Sequence, residues 1–330
     1  MRAWILKASL CAAAAAAPLS GASGQRVAPR VVTAAGSVRG DAFFAPSLGV
    51  RKHFMVYLPP SYDAKPAMRY PVAYYLHGLS GSETDWLSRA GIDAVADSLI
   101  GSGLPEMIIV MPDGDDSWYA APEAVKPYET CRDSIRSESA ERGCVKSARY
   151  AEYIARDLVA YVDARYRTRA DRAHRAIGGL SMGGYGAVKL ALQFPRVFAA
   201  AASHSGVLSP RLIGPDPFTM PPVYAADADT LLRLKIPGPT VFGRNLALWM
   251  DNDPAILAAR LERAGGPMPA IYMDVGSSDP FLHENQAFDF ELRRLGIAHE
   301  YHEYPGTHNW RFWSTHVPQS LAWMLGIIGR

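Results

Sequence analysis

Residues 175–193 constrain this chain more than any other segment. A short apolar run, Arg175 to Gly178, leads into Gly179-Leu180-Ser181-Met182-Gly183. A helix-patterned stretch from Gly183 to Gln193 follows and is stopped by Pro195. Glycines two positions either side of a serine let a strand turn sharply into a helix, because no Cβ obstructs the crossing. Such a turn lifts the Ser181 hydroxyl above the end of a sheet. The first helical turn then offers unpaired amides and a favourable dipole to any negative charge that develops there.

The remaining chain repeats the same alternation of strand and helix. Strand-like runs read at Phe54 to Leu58, Val72 to Leu76, Met107 to Met111, Phe198 to Ser203, Ile271 to Val275 and His299 to Tyr304. Residues 150–166 show helical spacing through Tyr150, Ile154, Leu158, Tyr161 and Val162. This order predicts an α/β fold with a mainly parallel central sheet flanked by helices. Residues 208–250 break the rhythm with seven prolines, and long irregular insertions in compact domains are usually functional. They read as a cap over a site rather than as a domain boundary. The 330 residues are 49% hydrophobic and 20% charged, enough to build a core and unlike a disordered chain. A net charge of +2 argues against a dedicated nucleic-acid binder.

Residues 1–24 have the anatomy of a cleavable signal peptide. Arg2 and Lys7 supply a positive start, Ala8 to Ala17 an apolar middle, and Pro18 to Gly24 a breaker followed by small residues. The apolar middle is shorter than the roughly 20 residues a membrane span needs. Cleavage after Gly24, or after Ala22, predicts a secreted or periplasmic domain over 25–330. Losing Arg2 and Lys7 would take the net charge from +2 to zero, and losing Cys11 would leave Cys131 and Cys144. In an oxidising compartment these two are disulfide candidates.

A serine is a weak nucleophile until a base takes its proton. After an elbow of this kind the acid and then the base follow in chain order. Asp279 lies just past the strand Ile271 to Val275, whereas Asp274 lies inside it. Of the later histidines, His299 and His302 read as strand residues, His283 starts a helix and His316 sits within the last one. His308 follows the final strand in Pro305-Gly306-Thr307-His308-Asn309-Trp310, where a loop can swing back over the elbow. The expected triad is Ser181, Asp279 and His308. The loop after the second strand, His77-Gly78-Leu79-Ser80-Gly81, should bring the Leu79 amide beside that of Met182 as the two oxyanion donors. His77 reads as structural.

With these motifs in place, the chain resembles the esterase D-type "putative esterase" family of α/β-hydrolases. That family includes feruloyl, acetyl-xylan and tributyrin-type esterases, S-formylglutathione hydrolases and mycolyltransferases. The resemblance rests on VYLPPSYD (56–63), YYLHGLSGSETDW (74–86), VMPDGDDSWY (110–119), GGLSMGGYGAVKLALQFPRVFAAAASHSG (178–206), GSSDPFLHENQAF (276–288) and YPGTHNW (304–310). It implies an α/β-hydrolase fold and a serine carboxylesterase acting on a small-molecule or polysaccharide-linked ester, with no cofactor and no metal. By position, the family triad falls on the same three residues, Ser181, Asp279 and His308. Trp118 and Tyr119 should border the site and contact substrate. An acyltransferase using the same triad is the alternative, and a non-catalytic carbohydrate-binding protein on this fold is the remote one.

Overall fold

The computed structural model describes residues 35–122, 124–134, 143–215, 218–234 and 240–330, all within one compact unit. The expected leader, 1–24, lies outside the described residues. Ten strands occur among those described: β1 (Ser37–Ala45), β2 (Val50–Leu58), β3 (Val72–Leu76), β4 (Ile108–Pro112), β5 (Arg175–Leu180), β6 (Ala200–His204), β7 (Leu212–Gly214), β8 (Val223–Tyr224), β9 (Ala270–Gly276) and β10 (Glu300–Tyr304). Eight form one sheet in the order β1-β2-β4-β3-β5-β6-β9-β10, and β7 and β8 pair separately. Strands β4 to β10 of the large sheet run parallel, and β1 and β2 add an antiparallel ribbon at one edge.

The central parallel strands β3, β4, β5 and β6 are buried along their whole length because both sheet faces are covered there, whereas the edge strand β10, Glu300–Tyr304, is polar and has no buried residue. In β3 all five residues are buried. Val72, Tyr74 and Leu76 face the core under helices Tyr150–Glu152, Val159–Arg165 and Met182–Gln193. Ala73 and Tyr75 face the opposite core, under helices Ile92–Gly101 and Trp310–Ile328. The segment read as one helix over 150–166 is continuous but contains a wider π turn at Tyr153–Leu158.

Strand β1 was not anticipated. Its first four residues are exposed, and an edge strand with no buried stripe at its start lacks the alternation that marks a half-buried strand. Strand β2 begins at Val50 rather than Phe54, and β5 runs on to Leu180. His299 precedes β10 rather than belonging to it, and its ring bonds Asp289 at 2.8 Å.

The strand order sets where chemistry can occur. Connections leave β3 toward β4 on one side and β5 on the other, which is the kind of switch point that opens a crevice at strand carboxyl ends. Register places Leu76 opposite Gly179, Leu180 opposite His204, His204 opposite Asp274 and Tyr304 opposite Gly276. The loops after β3, β5, β9 and β10 therefore emerge along one rim of the sheet.

Candidate active site

Ser181 sits between β5 and the helix Met182–Gln193 at φ 52° and ψ −120°, outside both strand and helix conformations. A non-glycine residue held there stores strain of about 1–3 kcal/mol, which its surroundings must offset. They do so in part through the Ser181 amide, which donates to the His204 carbonyl at 2.9 Å. Gly183 lets the crossing close up: a Cβ there would lie 2.4 Å from the Leu76 carbonyl oxygen and 2.5 Å from that of His77.

His308 reaches the serine from β10, three strands away, or about 14 Å at the usual inter-strand spacing. The return loop is tied down on the way. Ser278 donates its amide to the Gly306 carbonyl at 2.9 Å, and the Thr307 hydroxyl donates to the Ser278 carbonyl at 3.0 Å. Asn309 then caps the helix Trp310–Ile328 by accepting from the Phe312 amide at 3.0 Å. His308 ends with Nε2 2.9 Å from Ser181 Oγ and Nδ1 3.0 and 3.1 Å from the two Asp279 oxygens. The Asp279 side chain is fully buried, and its Oδ1 also accepts the Phe281 amide at 2.9 Å. Phe281 and Trp313 pack edge-on against the imidazole at 5.0 and 4.9 Å. With Nδ1 donating to the carboxylate, Nε2 is left to accept the serine proton, the arrangement general-base chemistry requires.

The loop after β3 passes directly over the elbow. A Cβ on Gly78 would meet Leu180 Cδ1 at 2.7 Å and Ser181 Cβ at 3.5 Å. The Leu79 and Met182 backbones thus flank the serine from opposite sides. Among the described residues, no backbone acceptor outside the helix takes up either amide. Around Ser181 opens a cavity of about 560 Å³, walled by Leu79, Trp118, Phe281, Trp310 and Trp313, with Asp85 and Arg89 among its polar residues. That volume suits a small organic ligand.

Residues 45–324 match the family model described as Putative esterase. The chain belongs to that family. It is a serine hydrolase of carboxylic esters with the α/β-hydrolase fold. It is 27% identical over 252 residues to an acetyl esterase of Caldicellulosiruptor saccharolyticus, covering 76% of this chain and 82% of that one. Among solved structures it is similar to a ferulic acid esterase (TM-score 0.64, 24% identity, 89% of this chain and 99% of that one). It also resembles the fluorophosphonate-binding serine hydrolase F of Staphylococcus aureus (TM-score 0.68, 21% identity, 88% and 99%).

Beneath the cavity the esterase carries a buried polar network that sequence reasoning missed. Lys52, fully buried on β2, bonds Asp113 at 2.9 Å and Asp115 at 2.8 Å. Burial alone would lower its ammonium, but Asp115 and Asp113 outweigh that and hold it above its ordinary value. Burial pushes the Asp115 carboxyl up; at Asp113 the desolvation is overcome by Lys52, which brings that carboxyl down. His77 is structural, as expected. Its Nε2 accepts the Gly114 amide at 2.9 Å and its Nδ1 donates to the Gly78 carbonyl at 2.8 Å. The network therefore ties the loop after β4 to the loop after β3. The faint signal for it was a lysine at an inward position of an otherwise alternating strand.

Two expectations need correction. Trp118 lines the cavity, but Tyr119 does not face substrate: it is wholly buried, and its hydroxyl donates to the His77 carbonyl at 3.0 Å. Both residues have positive φ, 54° and 51°, so successive side chains do not point the way an extended loop would send them. Among the described residues, 208–250 supplies none of the cavity lining, which does not match a cap over Ser181. It packs alongside instead, with Arg211 bonded to Asp253 at 2.9 Å and Tyr224 to Glu291 at 3.4 Å. Phe218 stacks at 4.5 Å on His283, two residues beyond the cavity-lining Phe281. Cys131 and Cys144 are joined by a disulfide at a sequence separation of 13. Among the described residues no helix is long and apolar enough to cross a membrane, and no cluster of metal-ligating side chains occurs.

Proposed function

We propose that this protein is exported after loss of residues 1–24 and hydrolyses carboxylic esters through an acyl-enzyme on Ser181. The observation that carries the reading is the unbroken chain from Asp279 through His308 to Ser181 Oγ at the floor of an open cavity. His308 Nε2 takes the serine proton as Oγ attacks the ester carbonyl. The Leu79 and Met182 amides stabilise the oxyanion, and Asp279 stabilises the imidazolium that forms. His308 then protonates the departing alcohol. Water, deprotonated by the same nitrogen, clears the acyl group from Ser181.

The substrate class follows from the cavity wall. Trp118, Phe281, Trp310 and Trp313 offer flat apolar faces suited to an aromatic acyl group or the face of a sugar ring. Asp85 and Arg89 offer hydrogen bonds to hydroxyls on the alcohol side. The test is labelling by a fluorophosphonate alongside turnover of p-nitrophenyl acetate, methyl ferulate and acetylated xylan. Wild type should label at Ser181. Ser181→Ala should lose both label and turnover, the latter on the order of 10⁶-fold. Retained turnover with labelling elsewhere would overturn the assignment. Sequencing the amino terminus of exported protein should find Gln25 or Ser23; an intact Met1 would refute the processing.

A further inference from the structure

A second Ser–His–Asp constellation lies wholly inside the protein. His204, the last residue of β6, places Nδ1 2.8 Å from Asp274 Oδ1 on β9 and Nε2 2.8 Å from Ser320 Oγ in the helix Trp310–Ile328. These separations match those of the surface triad, yet all three residues are fully buried. Ser320 lies in the interior of a helix and lines no cavity around Ser181. Without access to substrate this trio cannot be a catalytic site. Burying it is costly unless each group is satisfied, so its position in the fold is informative.

That position joins it to the nucleophile and the base. The His204 carbonyl is the acceptor for the Ser181 amide, at 2.9 Å. The next residue, Ser205, has φ 51° and donates its amide to the Asp274 carbonyl at 2.7 Å. Ser205 Oγ in turn accepts the Trp313 indole N–H at 3.2 Å, and Trp313 packs perpendicular to the His308 ring at 4.9 Å. The third strand end is reached as well: the Tyr75 hydroxyl lies 3.4 Å from Ser320 Oγ, one residue before Leu76 closes β3. The trio thus pins β6 between β9 and the last helix at the point where β6 holds the strained serine.

We infer that Asp274, His204 and Ser320 are positioning residues that set the height and orientation of Ser181 relative to His308. The inference rests on Ser181 being the nucleophile, and it concerns the reacting geometry rather than the bonds that are made. A displacement near 1 Å of a reacting group costs about 10²-fold in rate, whereas binding of the ester in its ground state depends on the cavity wall.

The test compares Ser320→Ala and Asp274→Asn with Thr168→Val. Thr168 is equally buried and bonds Asp163, away from the elbow. Measurements are kcat and KM for p-nitrophenyl acetate, the rate of fluorophosphonate labelling, and Tm, all well below the unfolding range. The expected result is a fall in kcat and labelling rate of tenfold or more for Ser320→Ala and Asp274→Asn, with KM within twofold. Thr168→Val should lower Tm while leaving kcat unchanged. Should Asp274→Asn fail to fold, Ser320→Ala decides, since it removes one hydroxyl from a helix interior. Wild-type kcat and labelling rate in Ser320→Ala, whatever its Tm, would overturn the inference. If wild type itself does not label at Ser181, it is the functional assignment that fails rather than this relay.

Discussion

Gly183→Ala tests the close approach on which the proposed oxyanion hole depends. The added Cβ would stand 2.4 Å from the Leu76 carbonyl oxygen and 2.5 Å from that of His77, where real Cβ contacts essentially never fall below 3.0 Å. Both obstacles are backbone, so no side chain can rotate away. Relief requires the elbow and the loop after β3 to separate by roughly 0.6 Å, close to the 1 Å scale on which rates collapse. The β3–β5 pairing, with Leu76 opposite Gly179, resists a uniform opening. The displacement therefore falls on residues 77–79 and carries the Leu79 amide away from the oxyanion. Losing one such donor costs about 2.7–4 kcal/mol, or 10²–10³ in kcat. KM should barely change, because the lost contact belongs to the transition state. Overpacking should also cost about 1–3 kcal/mol of stability. The assay is steady-state hydrolysis of p-nitrophenyl acetate, with active sites counted by fluorophosphonate and folding checked by circular dichroism. Gly326→Ala is the control: a Cβ there meets nothing within 4 Å. In that helix it should gain about 0.5–1 kcal/mol and leave kcat unchanged. Gly183→Ala with kcat within twofold of wild type would refute the reasoning.

Other outcomes follow from the same geometry. Asp279→Asn keeps the side-chain shape but removes the charge facing His308 Nδ1, and kcat should fall about 10⁴-fold with KM unchanged; a loss under tenfold would contradict the role. Burial brings the Lys189 ammonium down to about 7, against roughly 10.4 in an unfolded chain. Between those values the unfolded state binds a proton that the folded state lacks, so stability rises with pH across the window, by on the order of 4 kcal/mol in full. Urea midpoints of wild type and Lys189→Met from pH 6 to 9 should therefore shift in favour of wild type as pH rises, and parallel curves would remove Lys189 from the account. Reducing the Cys131–Cys144 disulfide opens a loop with a sequence separation of 13. That should cost about 3 kcal/mol on the chain-entropy account, and an unchanged midpoint after reduction would show that the bond constrains nothing in the unfolded state.

The sheet and the proposed triad positions were readable because their signals are local. Short apolar runs bounded by turn formers marked five of the six parallel strands, and β10 was marked by its strand-like run despite being polar, with errors only at strand ends. The strand-to-helix elbow needs small residues within a five-residue window, which is a steric requirement written directly into residue types. Chain order then separated Asp279 from Asp274, since one follows β9 and the other lies within it. Strand β1 escaped because its exposed start carries no burial pattern. Tyr119 was misplaced because two successive positive-φ residues reverse the expected side-chain direction, and nothing in the residue types Trp and Tyr announces that conformation.

From the sequence alone came the proposed catalytic assignment: which serine, which acid, which base, and the kind of turn that exposes the serine. Each depends on contacts within a few residues or on the order of loops along the chain. The tertiary structure alone decided what holds that chemistry in place. Lys52 meets Asp113 across 61 positions, and His204 meets Ser320 across 116. Local periodicity says which face a residue takes but not which strands become neighbours. Only the order β4-β3-β5-β6-β9-β10 brings His204 against Asp274 and closes the buried trio beneath Ser181.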